Sequence, residues 1–421
     1  MNRITMLVLM AFIFLLLDFY IFQSVKHVTQ VFSASTRRIL FFLYWCVSLI
    51  ALASFFYYNL ADKLEMSRGM KTFLFSVIFI NYFSKLFGVL VLVIDDLVRA
   101  GQWAWAKVHA SSSGSAPTSF GSDDQTISRS DFLVKSSLVA TAIPALGMTY
   151  GIISGAHDYR VRRVTVSLKN LPSSFDGLRI GQISDIHSGS FFNKTAVQGG
   201  VDLLLQEKPD IVFFTGDLVN NQATEIEDYF PIFSQVQAPM GVFSTLGNHD
   251  YGDYVSWPSA QAKQQNLENL KAAHREMGWK LLLDENRIFR EGTGTLAIIG
   301  IENWGAGRFA KYGDLAKAYR GAESADVKLL LSHDPSHWDA QVRPQFQDID
   351  MAFAGHTHGM QFGIEVGSFK WSPSQYVYKQ WAGLYQEGNQ FLYVNRGYGY
   401  LAFPGRIGIL PEITIIELTM A

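Results

Sequence analysis

The sequence predicts an α/β layered domain preceded by a bundle of about four membrane-spanning helices. Three observations lead there. Long apolar stretches crowd the chain before residue 156. After it, apolar runs shorten and end in polar residues, as buried strands do. Helical periodicity separates some of those runs. At 421 residues the chain is also too long for one ordinary domain. Hydrophobic residues make up 48% and charged residues 17%, against a usual charged share of about 25%.

Four segments are apolar and long enough to cross a bilayer, at roughly 20 residues each. They run from about Ile4 to Phe22, Leu40 to Leu60, Phe73 to Ile94 and Ser136 to Gly155, the last containing Pro144. A cleaved signal peptide explains the first poorly, because no small-residue cleavage site follows it. Asp18 and Lys85 fall inside the spans, and a charge at membrane depth often marks a pair or a pathway. Asp18 is also near enough to a helix end to reach the interface, and the long Lys85 stem can snorkel, so a pair is one reading among these. The region 1–156 is therefore read as membrane-embedded, with a Ser/Gly-rich linker at 110–122.

Orientation is not given by basic residues, which divide seven and seven between the two sets of flanks. The stretch Ser128-Arg129-Ser130-Asp131-Phe132-Leu133-Val134-Lys135 resembles a twin-arginine export signal that has lost its second arginine. That resemblance implies an extracytoplasmic position for everything after Gly155, in a multi-pass protein of the cytoplasmic membrane.

A net charge of −2 excludes a basic nucleic-acid binder as the default. The single cysteine, Cys46, excludes an intramolecular disulfide framework and a thiolate zinc cluster.

In residues 157–421, Leu178–Ile183, Asp210–Phe214, Val242–Leu246, Leu296–Ile301, Val327–Leu331 and Met351–Ala354 read as strands. Thr195–Gln206 and Ala260–Met277 read as helices. Five of the strands deliver polar motifs at their carboxyl ends, where α/β sheets bind ligands. In order these are Asp185-Ile186-His187, Gly216-Asp217, Gly247-Asn248-His249-Asp250, His333-Asp334 and Gly355-His356-Thr357-His358. Each alone is unremarkable; together and in order they point to one crevice. Carboxylates, an amide oxygen and imidazoles without thiolate suit Mn, Fe or Zn ions. The donors are too many for one ion, and paired ions about 3.5–4 Å apart are a recurrent device for phosphoester cleavage by an activated hydroxide. Asp217, central in the series, is the natural bridging carboxylate.

This set resembles the calcineurin-like metallophosphoesterase superfamily over about Val164 to Leu418. The resemblance implies a four-layer αββα sandwich. It implies one metal on Asp185, His187, Asp217 and His358, and another on Asp217, Asn248, His333 and His356. It makes His249 the proton donor or phosphoryl-steadying residue, with Asp250 orienting its imidazole. The tail from Leu392 through Arg396-Gly397-Tyr398-Gly399, Pro404-Gly405-Arg406 and Pro411-Glu412 is similar to the bacterial branch carrying an export signal or membrane anchor. The chain departs at Gly359-Met360-Gln361, where Gly-Gly-Gln is common. Arg396, Arg406 and the turn Asn303–Arg308 are candidates to contact substrate. Trp257, Trp371 and Trp381 read as packing residues or a membrane-facing rim.

The expected function is membrane-anchored, metal-dependent hydrolysis of a phosphoester on the cell envelope. The expected partners are that substrate, lipid-linked in one reading, and the bilayer, with no regulatory nucleic acid. One alternative is a UDP-2,3-diacylglucosamine pyrophosphatase-type lipid-precursor hydrolase. The other is a non-catalytic membrane scaffold, although such scaffolds typically lose ligands and this chain lacks none.

Overall fold

The computed structural model describes residues 2–61, 66–110, 129–307, 309–367 and 369–421. Linker residues 111–122, Ser128 and Arg308 lie outside the described residues. The chain divides into two compact units, Met1–Thr149 and Tyr150–Ala421.

Four long helices account for the first unit: α1 Arg3–Val28, α2 Ala34–Leu60, α3 Arg68–Ala110 and α4 Arg129–Ile153, whose last turn enters the second unit. Asn2 and Ser33 cap α1 and α2 by accepting the Thr5 and Thr36 amides, satisfying N–H groups that have no partner inside a helix. Each of the four is long and apolar enough to cross a membrane. The third runs well past Ile94, carrying the exposed Trp103 and Trp105. At Gly88 a Cβ would stand 2.1 Å from Thr141 Oγ1 on α4, so only glycine permits that close helix contact. Of the alternatives for the two buried charges, Asp18 and Lys85 form the pair. Lys85 Nζ lies 2.5 Å from Asp18 Oδ1, 2.9 Å from Asn81 Oδ1 and 3.0 Å from Ser48 Oγ. It ties α1, α2 and α3 together at a buried point.

Among the described residues the second unit holds fourteen strands. They are β1 Arg160–Leu168, β2 Arg179–Ile183, β3 Ile211–Phe214, β4 Val242–Ser244, β5 Trp279–Leu281, β6 Glu285–Glu291 and β7 Gly294–Gly300, then β8 Val327–Leu331, β9 Met351–Ala354, β10 Ile364–Val366, β11 Phe369–Trp371, β12 Gly383–Glu387, β13 Gln390–Val394 and β14 Glu412–Met420. One six-stranded sheet has the order β1-β14-β2-β3-β4-β5 and the other β12-β13-β9-β8-β7-β6, while β10 and β11 form a separate hairpin. Within each sheet the central strands run parallel, so their carboxyl ends emerge together.

Side-chain alternation explains the layering. On β3, Ile211 and Phe213 pack between the sheets, where they meet Leu329 and Phe353 of the other sheet. Val212 and Phe214 face the opposite way, against Val201 and Leu270 of the helices Lys194–Gln206 and Ala260–Glu276. On β7, Leu296 and Ile298 point inward and Ala297 and Ile299 outward, against Leu315 and Trp338. Three apolar layers between four layers of backbone make the αββα sandwich. Complete burial of a residue such as Phe213 contributes about 1.5–3 kcal/mol. Gln182 crosses between the sheets near the carboxyl ends, its amide nitrogen donating to Thr215 Oγ1 and to the Ala354 carbonyl.

A candidate dinuclear metal centre

Donors converge where the two sheets present their strand ends. The first sheet supplies Asp185 and His187 after β2, Asp217 after β3 and Asn248 after β4. The second supplies His333 after β8, and His356 and His358 after β9. Two groups form with donor atoms mutually within 4.8 Å: Asp185, His187 and His358, and Asp217, His333 and His356. In the first, His187 Nε2 is 3.1 Å from His358 Nε2, which is 3.3 Å from Asp185 Oδ1. In the second, His333 Nε2 is 3.1 Å from Asp217 Oδ2 and 3.2 Å from His356 Nδ1, with Asn248 Oδ1 2.8 Å from that same Nδ1. Asp217 Oδ2 also lies 3.5 Å from His187 Nε2. One carboxylate oxygen therefore faces both groups.

The backbone is bent to achieve this. Asp185, His187, Asp217, His356 and His358 all have left-handed φ values, between 47° and 70°. For residues with a Cβ this conformation costs about 1–2 kcal/mol each, and such strain concentrates at functional sites. Gly247 and Gly355 clear the space. A Cβ at Gly247 would stand 2.2 Å from Asp217 Oδ1, and one at Gly355 2.1 Å from Asp185 Oδ2.

Burial sets the protonation states. Desolvation pushes His187 down to about 3 and His356 to about 4, keeping both imidazoles neutral with a lone pair to offer. It also raises Asp185 to about 6. His333 differs: burial opposes its charge, but the Asp217 carboxylate overcomes this and raises it to about 10. Its Nδ1 faces the Thr215 carbonyl at 2.7 Å, so Nδ1 carries a proton and Nε2 points at the cluster. A cation bound there would take the place of the second proton. The donor set, neutral imidazoles with buried carboxylates and no thiolate, fits two divalent ions.

Two models of known families match. Residues 178–360 match the calcineurin-like phosphoesterase model, and residues 2–156 match the transmembrane domain of a probable calcineurin-like phosphoesterase. Residues 178–360 belong to the calcineurin-like phosphoesterase family. The chain is 29% identical over 296 residues to a transmembrane protein with metallophosphoesterase domain from Danio rerio, covering 68% of this chain and 63% of that one. It is 28% identical over 306 residues to the metallophosphoesterase YkuE of Bacillus subtilis, covering 69% and 98%. The UDP-2,3-diacylglucosamine pyrophosphatase LpxG of Chlamydia trachomatis is 27% identical over 288 residues, covering 56% and 83%. The chain thus spans less than two thirds of the first of these relatives. The two His/Asp groups fit the two divalent ions that calcineurin-like phosphoesterases normally bind.

The structure departs from the sequence expectations for several residues. Asp250 does not orient His249. Its buried carboxylate instead accepts the backbone amides of Gly247, Asp217, Leu218 and Val219, joining the two donor loops. His249 is oriented by the Asn220 carbonyl, 2.8 Å from Nδ1. Arg396 is drawn away from the crevice by two carboxylates, with Nη1 2.5 Å from Glu412 and Nη2 3.0 Å from Glu365. Arg406 is fully buried behind His358, and its guanidinium donates to the carbonyls of Arg396, Gly399 and Ile409. Asn303 turns its amide to the Ala310 carbonyl. Arg406 Nη2 also lies 3.1 Å from His358 Nδ1, on the side of the ring away from the cluster-facing Nε2, so it backs a donor imidazole, while Arg396 and Asn303 make none of their hydrogen bonds to a donor.

Two tyrosines missed in the sequence do touch the site. Tyr378 OH lies 2.7 Å from His356 Nε2, leaving Nδ1 to the cluster, and Tyr254 OH accepts from Asn248 Nδ2 at 2.8 Å, which turns the amide oxygen inward. Both sit in irregular segments whose sequence carries no periodic signal.

Proposed function

We propose that residues 157–421 hydrolyse phosphoester bonds at a dinuclear centre, and that residues 1–156 anchor them in the cytoplasmic membrane. Asp185, His187, Asp217 and His358 would hold one ion, and Asp217, Asn248, His333 and His356 the other. The observation that carries this reading is Asp217 Oδ2, which faces both groups. Bound divalent ions supply positive charge for the phosphoryl group and an acidified water as nucleophile.

The chain's own residues do the rest. With its Nδ1–H committed to the Asn220 carbonyl, His249 has Nε2 left to pass a proton to the leaving oxygen. Its backbone amide donates to Asp217 Oδ1 at 2.9 Å, leaving Oδ2 to the two groups. Asp250, raised to about 7 by burial and by the Asp217 charge, holds the 217–219 turn by hydrogen bonds and has no proton role. Tyr378 and Tyr254 keep the His356 ring and the Asn248 amide in register.

Asp217→Asn tests the proposal. Metal content should fall from about two ions per chain, and hydrolysis of an aryl phosphodiester by more than ~100-fold, beyond the range typical of merely supporting residues. Full activity in that variant would overturn it.

The LpxG relative favours a second reading, cleavage of the pyrophosphate in a UDP-linked diacylated glucosamine. The nucleotide is cytoplasmic, whereas the twin-arginine-like stretch supports an outward domain acting on an envelope substrate. A topology reporter fused after Ala421 separates them. An outward signal excludes the nucleotide substrate, and a cytoplasmic one favours it.

A further inference from the structure

The hairpin β10–β11 is built the wrong way round for water. Its register pairs Ile364 with Trp371 and Val366 with Phe369, so these four side chains share one face. Ile364, Val366 and Phe369 are exposed, Val366 by 70% and Phe369 by 59%. The charged residues lie on the other face and turn toward the domain. Glu365 is paired with Arg162 at 2.6 Å and with Arg396 at 3.0 Å, and Lys370 donates to the Ala382 carbonyl at 2.6 Å. A two-stranded hairpin in water ordinarily buries its apolar face and exposes its charges. Here the pattern is inverted, and Phe362, Tyr376 and Val377 extend the exposed apolar surface.

Its footing points to the occupant. The Gly363 amide donates to the Ile407 carbonyl at 2.9 Å, and Ile407 donates in turn to Gln361. The neighbouring Arg406 amide donates to the carbonyl of Gly151, at 3.1 Å. Gly151 belongs to the last turn of α4, which ends at Ile153 within the fourth candidate membrane span, Asp131–His157. The foot of the hairpin is therefore joined, through one short strand of chain, to the place where a membrane-spanning helix ends. A bilayer surface is continuous with that helix end. Met360 adds a second sign. It keeps a left-handed backbone at φ 50° and remains 45% exposed, so the chain holds an apolar side chain at this surface in a conformation that glycine would adopt without strain.

We propose that the β10–β11 hairpin rests in the bilayer surface, with Ile364, Val366 and Phe369 entering the acyl region beside the headgroups. The hairpin follows His356 and His358 directly in the chain, so it would hold the donor crevice close to lipid. The proposal concerns where the hairpin lies and does not depend on the reaction.

The test uses the full chain in nanodiscs of phosphatidylcholine and phosphatidylglycerol. In a Cys46→Ser background, Val366→Cys or Phe369→Cys is labelled with an environment-sensitive fluorophore. Glu291→Cys, at the far end of the sheets from the donors, serves as the water-facing control. Lipid spin-labelled high on its acyl chain is then introduced. Insertion about 5–10 Å into the interface gives a blue-shifted emission that the spin label quenches about twofold, with the control unchanged. Emission indistinguishable from the control overturns the proposal. So does a blue shift without quenching, which would mean that protein, such as a second copy of the chain, covers the hairpin. Because the readout is depth, a negative result leaves the phosphoesterase reading standing, and an inactive but inserted protein leaves the hairpin standing.

Discussion

Replacing Lys85 by methionine isolates what holds the membrane helices together. The substitution removes the ammonium and its contacts to Asp18, Asn81 and Ser48. Ser48 Oγ still donates to Asp18 Oδ1 at 2.8 Å, but Oδ2 has no hydrogen-bond partner and the residue is fully buried. A buried charge stripped of its counterion costs about 3–5 kcal/mol, a large share of a total stability of about 5–15 kcal/mol. Adding Asp18→Asn removes the stranded charge and leaves a neutral amide among hydroxyl and amide neighbours, where imperfect pairing costs about 1–3 kcal/mol. The double variant should therefore be roughly 2 kcal/mol more stable than Lys85→Met alone. Monodisperse yield after detergent extraction and the midpoint of heat unfolding both read this out. If the double variant is as unstable as the sum of the two singles, the helices are not held by this pair and the reasoning fails.

Three further outcomes are expected in the second unit, Tyr150–Ala421. Gly355→Ala places a Cβ 2.0 Å from Ser184 Oγ and 2.1 Å from Asp185 Oδ2, so it should cost about 1–3 kcal/mol and lower metal content, measured by elemental analysis. Met360→Gly relieves a left-handed backbone worth about 1–2 kcal/mol against a glycine entropy cost of about 0.5–1 kcal/mol, and should raise the midpoint of heat unfolding by a degree or two. His274 is held neutral by burial, down to about 3, with Nδ1 on Ser244 Oγ. The unfolded chain takes a proton below about 6.5 that the folded chain refuses, so stability falls as pH drops from about 6.5 toward 3. At pH 5 the loss is about 2 kcal/mol, and His274→Gln should flatten that part of the denaturant-midpoint curve.

Much of the sandwich was legible because its central strands are continuous apolar runs, each closed by a chemically distinctive motif. The edges were not. β1 reads Arg-Val-Arg-Arg-Val-Thr-Val, and its charges disguise a strand that pairs along its full length with β14, some 250 residues later in the chain. The donors could be read because their order and spacing are local properties of five loops. Orientation is not local. Asp250 follows His249 in sequence, yet its carboxylate points to amides contributed by the loop at 217–219. Arg396 looked like a phosphate contact because Glu412 and Glu365 come to it only through folding. Tyr378 and Tyr254 were invisible for the same reason.

The left-handed backbone at the donors also bears on whether the chemistry is still in use. Exchanging any of these five residues for glycine would relax the loop that carries it, so drift without a catalytic need would reward their loss with a sturdier fold. A protein that had retired into a purely architectural role would have every thermodynamic reason to shed them. All five stand together here, on loops that each would relax as glycine.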